Sequence, residues 1–403
     1  MENIIKTTPT NPLDVNNNTP LEDLNLNWGE KDMPEKERTK HVHRLHPYLG
    51  KFIPQLVEIF LRKYFEPGQT ILDPFCGSGT TLVQANELGI NSIGYDISAF
   101  NVLLTKAKTH KYDTDIATFE IKDALEKLHD LTQLNIDHQL PLWESKSANR
   151  EYSTNDDYLN LWFSPRALIE ILAYRSIIQN SKYKYKNLLN IILSRSARSA
   201  RLVKHFDLDF PKKPQTEPYD CYKHSRVCKP VEEAYKFIRR YSIDTIKRVQ
   251  EFSTLRTNAR VKIVHGNSIT ARFPKIDGVI TSPPYVGLID YHEQHTYAYH
   301  LLGLEDKREK EIGPAAKGSS ISAKENYQEL LVKVFSRAAK AMKDDGVIIT
   351  IAGDKHDLYD EIAVGAGLEI HDVVKRHVNR RTGRRSSEFY ESVFIWKKAK
   401  RLC

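Results

Sequence analysis

Cysteine is scarce in this chain: four in 403 residues, Cys76, Cys221, Cys228 and Cys403. Scattered thiols exclude the disulfide framework of a small secreted domain and fit a reducing cytosol. Cys221 and Cys228 bracket His224, but the spacing is not that of the usual zinc knuckles and no second pair follows, so no metal is expected. No apolar run reaches the roughly 20 residues that a bilayer requires, and the N-terminus shows no secretory signal pattern. A cytoplasmic protein with no membrane partner is therefore expected. Internal repeats are absent, which argues against solenoids and propellers.

The hydrophobic fraction of 40% and the length suit one large α/β domain carrying a substantial insertion, or two domains. The net charge is +8, and it is unevenly spread: residues 181–260 hold 19 Lys and Arg against 8 Asp and Glu. A local excess of this kind suggests a polyanionic partner, of which nucleic acid is the usual one.

Along the chain, residues 1–35 are rich in Asn, Thr, Pro and Asp with little periodicity and read as a flexible or loosely docked arm. Residues 36–110 begin a βα pattern. "PQLVEIFLRKYF" from Pro54 carries a helical apolar stripe, "QTILDPFCGSGTTLVQANELG" reads as strand, glycine turn and helix, and "INSIGYDIS" is a second strand ending at Asp96. Between 111 and 260 the pattern becomes helical and polar, with recurrent Tyr, Lys and Arg. Alternation resumes over 261–403 with "RVKIVHGNS", "DGVITSPPY", the amphipathic "YQELLVKVFSRAAKAM" and the strand "GVIITIAGD". "LEIHDVVKRHV" and "EFYESVFIWKK" look like a closing antiparallel pair. Strands alternating with helices predict a doubly wound, mostly parallel sheet interrupted by a large, mostly helical insertion.

Gly77 and Gly79 fall between the first strand and its helix, where backbone approaches a ligand closely in such sheets. Asp96 ends the second strand, placed to accept from ribose hydroxyls. A complete GxGxxG is missing, since Leu82 stands where the third glycine would be, and this weakens a dinucleotide reading. Asp73 and Phe75 bring a carboxylate and an aromatic ring to the same turn, which suits a cationic amine with an apolar thioether arm better than a pyrophosphate. In "DGVITSPPYVGL", two prolines forbid continuation of the strand ladder, so Ser282 and Tyr285 sit on a rigid, extended corner.

"DPFCGSG" followed by "TSPPY" resembles the amino-methylating DNA methyltransferases, which modify cytosine N4 or adenine N6 with S-adenosylmethionine. "HPYLGKFIPQLVEIFL" and "VKIVHGNS" are similar to two further segments of that family, and the likeness spans about residues 41–110 and 260–398. It implies a Rossmann-like class I methyltransferase fold whose seven-stranded sheet ends in an antiparallel strand. It also implies that Phe75, Gly77, Gly79 and Thr80 line the cofactor, Asp73 meets its methionine amino group and Asp96 its ribose. Asn267 would lie near its adenine, and Lys51 and Phe52 at its methionine end.

By the same resemblance, the Ser282 hydroxyl and the Pro283 carbonyl would accept from the two hydrogens of the target amine. Pro284 would stiffen the corner and Tyr285 would stack on a flipped-out base. Adenine enzymes of the family mostly carry Asp or Asn at the first position and cytosine-N4 enzymes mostly Ser, so Ser282 favours N4-cytosine. Methylation at cytosine C5 needs a cysteine nucleophile, and no cysteine here follows a proline in the manner of that other family. Cys76 reads as an inert turn residue.

Two basic stretches remain. Arg195, Arg198 and Arg201 recur at spacing three, with His205 four further on, as a helical stripe suited to a phosphate backbone. "KRHVNRRTGRR" would project as a hairpin carrying Arg380, Arg381, Arg384 and Arg385. With target recognition assigned to the insertion, the expectation is a site-specific methyltransferase acting on double-stranded DNA. It would serve as the modification half of a bacterial restriction–modification system, with a separate cognate endonuclease. Adenine N6 or RNA as substrate, and a DNA-binding protein with a dead cofactor site, are the alternatives left open.

Overall fold

The computed structural model describes residues 8–133, 151–314, 316, 318–378 and 389–399. Nine strands occur among them: β1 Thr70–Asp73, β2 Asn91–Asp96, β3 Tyr219–Cys221, β4 Arg226–Cys228, β5 Val261–His265, β6 Ile276–Thr281, β7 Met342–Ala352, β8 Leu368–His377 and β9 Tyr390–Lys398. Seven build one sheet in the order β5-β2-β1-β6-β7-β9-β8. Its first five strands are parallel, and β9 runs antiparallel to both neighbours, β7 and β8. The predicted closing pair is thus present, with the last strand slotted between its two predecessors.

Helices of more than one turn are α1 Pro54–Tyr64, α2 Thr80–Glu87, α3 Ala99–Thr109, α4 Thr114–Gln133, α5 Asp157–Trp162, α6 Pro165–Asn180, α7 Lys186–Ala200, α8 Tyr235–Ser253, α9 Thr296–Leu302, α10 Ile321–Ala341 and α11 Tyr359–Gly365. None is long and apolar enough to cross a membrane. Successive strand residues feed opposite layers, as strand geometry requires. Ile71, Ile280, Ile349 and Ile395 enter a core with Leu56 and Phe60 of α1. Their neighbours Leu72, Val279, Ile348 and Trp396 enter a second core with Leu331 and Phe335 of α10. The sheet is therefore covered on both faces, which is why its central strands read as continuous apolar runs.

One expectation is corrected. Residues 8–33 do not form a flexible arm: Val15 and Leu26 are buried in the α1 layer, and Asn27 Oδ1 accepts from the His377 amide of β8 (2.6 Å). A few well-spaced apolar residues suffice to dock a polar segment. The insertion packs onto the sheet domain: α4, α6, α7 and α8 share one core with Phe100 and Leu104 of α3 and with Tyr297 and Leu301 of α9. It also holds the small hairpin β3–β4, for which no strand was foreseen.

Candidate active site

The strand order reverses between β1 and β6, the place where open α/β sheets bind ligands beyond the carboxyl ends of their strands. A cleft of about 820 Å³ opens there, with Phe75, Gly77 and Thr80 after β1, Asp96 at the end of β2, Asn267 after β5, and Ser282 and Pro284 after β6. Lys51 and Phe52, just before α1, complete the wall. Seven of the nine residues expected around a cofactor are thereby brought to one space, and two of the four catalytic candidates face it.

Backbone geometry explains the glycine turn. Gly77 has φ +48°, and its amide donates to Asp96 Oδ2 (2.8 Å), so the turn is tied to the second strand. Asp96 Oδ1 accepts from the Ser98 amide (2.8 Å) and Asn101 Nδ2 (3.1 Å). Burial pushes the Asp96 carboxyl up to about 6, against the pull of those donors. Gly79 does not line the cleft. At φ +78° it caps α2, and a Cβ there would stand 2.6 Å from Thr105 Cγ2, so its place is one of close packing.

Asp73 also departs from expectation. Its carboxylate is buried behind the cleft, accepting from Thr281 Oγ1 (2.6 Å) and the Phe75 amide (3.1 Å), and burial raises it to about 6. It ties the glycine turn to the last residue of β6 and so holds Ser282 in register with the turn.

The Ser-Pro-Pro-Tyr corner stops β6 at Thr281 as its prolines require. The Pro284 carbonyl accepts from Tyr327 Oη (2.9 Å), whereas no group of the described residues donates to the Pro283 carbonyl. Tyr285 is half-buried and stands outside the described walls of the cleft. Its hydroxyl donates to Glu391 Oε1 (3.1 Å), and Arg376 Nε holds the other carboxylate oxygen (2.8 Å). Burial, with Glu391 alongside, raises the phenol well above its ordinary value, so it is neutral. The closing strands β8 and β9 thus brace the tyrosine.

Several cleft residues carry no motif and escaped the sequence reading. Tyr48 receives a hydrogen bond from Asn101 Nδ2 (3.1 Å), and Tyr291 stacks on it at 5.7 Å. Glu311 accepts from the His292 amide (3.0 Å) through Oε1, while its buried Oε2 has no partner among the described residues. Lys51 Nζ donates to the His43 carbonyl (3.1 Å), and burial lowers it to about 8.

The cleft fits S-adenosylmethionine on these observations. Phe52, Phe75 and Ile97 supply apolar wall. Ser78 Oγ, Asn101 Oδ1 and Glu311 Oε2 are buried polar atoms without partners among the described residues. Groups of that kind are costly unless a ligand satisfies them.

The basic residues fare differently. Helix α7 ends at Ala200, so Arg201 is its cap and His205 lies beyond it. Arg195 is buried, pairs with Asp244 (2.7 Å) and stacks on Tyr241 at 4.1 Å. Arg198 pairs with Asp209. Arg201 is buried over the Tyr297 ring at 4.5 Å and donates to the Leu208 carbonyl (2.5 Å). This stripe is internal, because its guanidinium groups are spent on the protein itself. Arg376 is likewise consumed by Glu391. Exposed cations of the insertion lie elsewhere, for instance Arg239 and Arg240 on α8. Arg380, Arg381, Arg384 and Arg385 lie outside the described residues.

Comparison with known proteins gives the following. The DNA methylase family, which groups N6 and N4 methylases, matches residues 14–107. The Type II methyltransferase M.MjaII of Methanocaldococcus jannaschii is 39% identical over 90% of this chain and 81% of its own length. M.BsoBI of Geobacillus stearothermophilus, another Type II methyltransferase, is 25% identical over 73% of this chain and 59% of its own. Among solved structures, TrmN from Thermus thermophilus overlays at a TM-score of 0.35 with 10% identity, over 87% of this chain and 50% of that one.

Proposed function

Since the chain belongs to the amino-methylating (N4/N6) Type II DNA methyltransferases, with S-adenosylmethionine as methyl donor and DNA as substrate, we propose that it methylates the exocyclic N4 of a flipped-out cytosine in duplex DNA. When bound, the cofactor supplies an electrophilic methyl group. The observation that carries the reading is the convergence of Ser282, a residue with a hydroxyl rather than a carboxylate or amide, with Asp96 and Asn267 on one cleft.

The residues divide the work as follows. Asp96 accepts from the ribose, Asn267 meets the adenine, and Lys51 and Phe52 hold the methionine end. Glu311 faces the positive charge with its free oxygen. An exocyclic amine is a weak nucleophile because its lone pair is delocalised into the ring. The Ser282 hydroxyl and the unengaged Pro283 carbonyl accept from its two hydrogens, drawing the nitrogen out of conjugation so that its lone pair faces the methyl group. The surplus proton then passes to solvent. Rigid prolines set these acceptors during folding, so no reorganisation is needed at reaction.

A paired base cannot reach the cleft, so the cytosine leaves the helix and stacks on Tyr285, whose ring Glu391 and Arg376 hold in place. Exposed cations of the insertion, Arg239 and Arg240 among them, contact phosphate. Methylation of a site also cut by a separate endonuclease would place the protein in a restriction–modification system.

Transfer of labelled methyl groups from the cofactor to mixed-sequence duplex DNA tests the reading. Tyr285→Ala is expected to remove transfer while leaving cofactor affinity within a few-fold of wild type. Near-normal turnover in that variant would overturn the stacking role.

A further inference from the structure

Between α7 and α8 the chain runs from Arg201 to Ala234 with only the hairpin β3–β4 as regular structure. The hairpin's own apolar cluster is Tyr219, Cys221 and Cys228, with Phe206 packed against it. The ends of the segment are held by the shared helical core through Val203, Val231 and Ala234, but a two-stranded hairpin is marginal in water and so small a cluster buries too little to hold the hairpin itself. Something else has to fix it.

The side chains that converge there are His205, Cys221, His224 and Cys228, whose ligand atoms all lie within 4.8 Å of one another. His224 Nδ1 stands 3.3 Å from Cys228 Sγ and 3.7 Å from Cys221 Sγ. Donors around a tetrahedral zinc ion are separated by roughly 3.3–3.8 Å, given its ~2.3 Å bonds to sulfur and ~2.0 Å bonds to nitrogen. The backbone makes this arrangement locally: the His224 amide donates to the Cys221 carbonyl (3.1 Å), and Ser225 takes φ +51°, folding the turn back to Cys228. His205 is oriented too. The Tyr219 hydroxyl accepts from its amide (2.9 Å) and lies 3.0 Å from its Nδ1. Hydrogen bonds of this outer layer are what fix metal-bound imidazoles.

We propose that His205, Cys221, His224 and Cys228 hold one zinc ion that staples the 201–234 segment of the insertion. Two thiolates and two imidazoles select zinc over hard cations such as magnesium or calcium, which take oxygen ligands. Both cysteines are unbridged and buried, as thiolate ligands of a structural site are. Binding releases their two protons to solvent and involves no change of oxidation state. No metal was expected from the sequence because the Cys221–Cys228 spacing is not that of the usual knuckles and no second pair follows; what was missing was a further ligand. The fold supplies it in His205, which read as the tail of an arginine stripe.

Metal analysis of the full chain, purified under reducing conditions without chelators or a metal-affinity tag, tests this. The expected content is about one zinc per chain. Cobalt exchanged into the protein should give the visible bands of a tetrahedral site and a near-ultraviolet thiolate-to-cobalt band. Cys228→Ser is expected to lose the thiolate band and most of the metal, and His205→Gln to weaken zinc retention about tenfold or more. If Cys228→Ser does not fold, stoichiometry and spectrum of the unaltered chain still decide.

A zinc-free chain giving no thiolate–cobalt spectrum would overturn the proposal. So would zinc that survives in Cys228→Ser, since the other compact group among the described residues, His41, His43 and Glu87, contains no sulfur. A Cys221–Cys228 disulfide found on unfolding without reductant would do the same.

Discussion

Lowering the pH should loosen the cofactor through one carboxyl group. Asp96 is raised to about 6 in the ligand-free protein, burial being the largest cause. It is therefore ionised above that value and protonated below it, and ribose hydroxyls donate much more strongly to the ionised form than to the neutral acid. Affinity is full above pH 6 and is lost as pH falls. About nine-tenths of the chains carry the carboxylate at pH 7 and about one-tenth at pH 5, so the dissociation constant should rise about tenfold, or about 1.4 kcal/mol. The window lies below the titration of the cofactor's own α-amino group, near 8. Calorimetric titration with S-adenosylmethionine at pH 5, 6 and 7 reads this directly. Asp96→Asn should bind more weakly at pH 7 by about 1.5–3 kcal/mol, the worth of hydrogen bonds to a charged acceptor, and show no slope. Asp73 provides the internal check, because its carboxyl is also raised to about 6 but is turned to Thr281. An unchanged slope in Asp96→Asn would assign the titration to Asp73 or another group and refute the ribose assignment.

Other perturbations separate the remaining roles. Gly79→Ala places a side chain at φ +78° and 2.6 Å from Thr105 Cγ2, so the fold should lose about 2 kcal/mol or more, read by denaturant titration. Arg195→Ala removes one of the two arginines that hold Asp244, leaving Arg248 at 3.2 Å, and empties the place over Tyr241; a loss of about 2 kcal/mol is expected with no change in the salt slope of DNA binding. A reduced slope would instead return Arg195 to the phosphate-binding role. Glu391→Gln keeps the shape of the brace and removes its charge. It should lower kcat several-fold through a looser Tyr285 while leaving cofactor affinity unchanged, and a matching fall in cofactor affinity would contradict a purely positioning role.

What could be read in advance follows from locality. Strand–turn–helix units announce themselves within about twenty residues, and alternating pairs such as Ile71 and Leu72 or Ile348 and Ile349 report a sheet covered on both faces. The glycine turn, Asp96, Asn267 and Ser282 lie at strand ends, where the topology gathers them. Failures came where meaning depends on a distant partner. Spacing three puts Arg195, Arg198 and Arg201 on related faces of a helix but does not say whether that face meets solvent, and Asp244, 49 positions from Arg195, decides it. Asp73 shares its turn with cleft residues, yet Thr281 turns its carboxylate away from them. Tyr48 and Glu311 sit in irregular segments and Tyr291 opens a single helical turn, all too short for periodicity, and only the cleft reveals them. The brace on Tyr285 joins strands that the sequence separates by about a hundred residues.

The central claim concerns the atom that receives the methyl group. Duplex DNA incubated with the protein and S-adenosylmethionine, digested to nucleosides and resolved by chromatography with mass detection, identifies it. Deoxycytidine methylated at N4 is the predicted product; deoxyadenosine methylated at N6 would contradict the reading of Ser282, and the absence of any methylated nucleoside would contradict the account of the cleft as a whole.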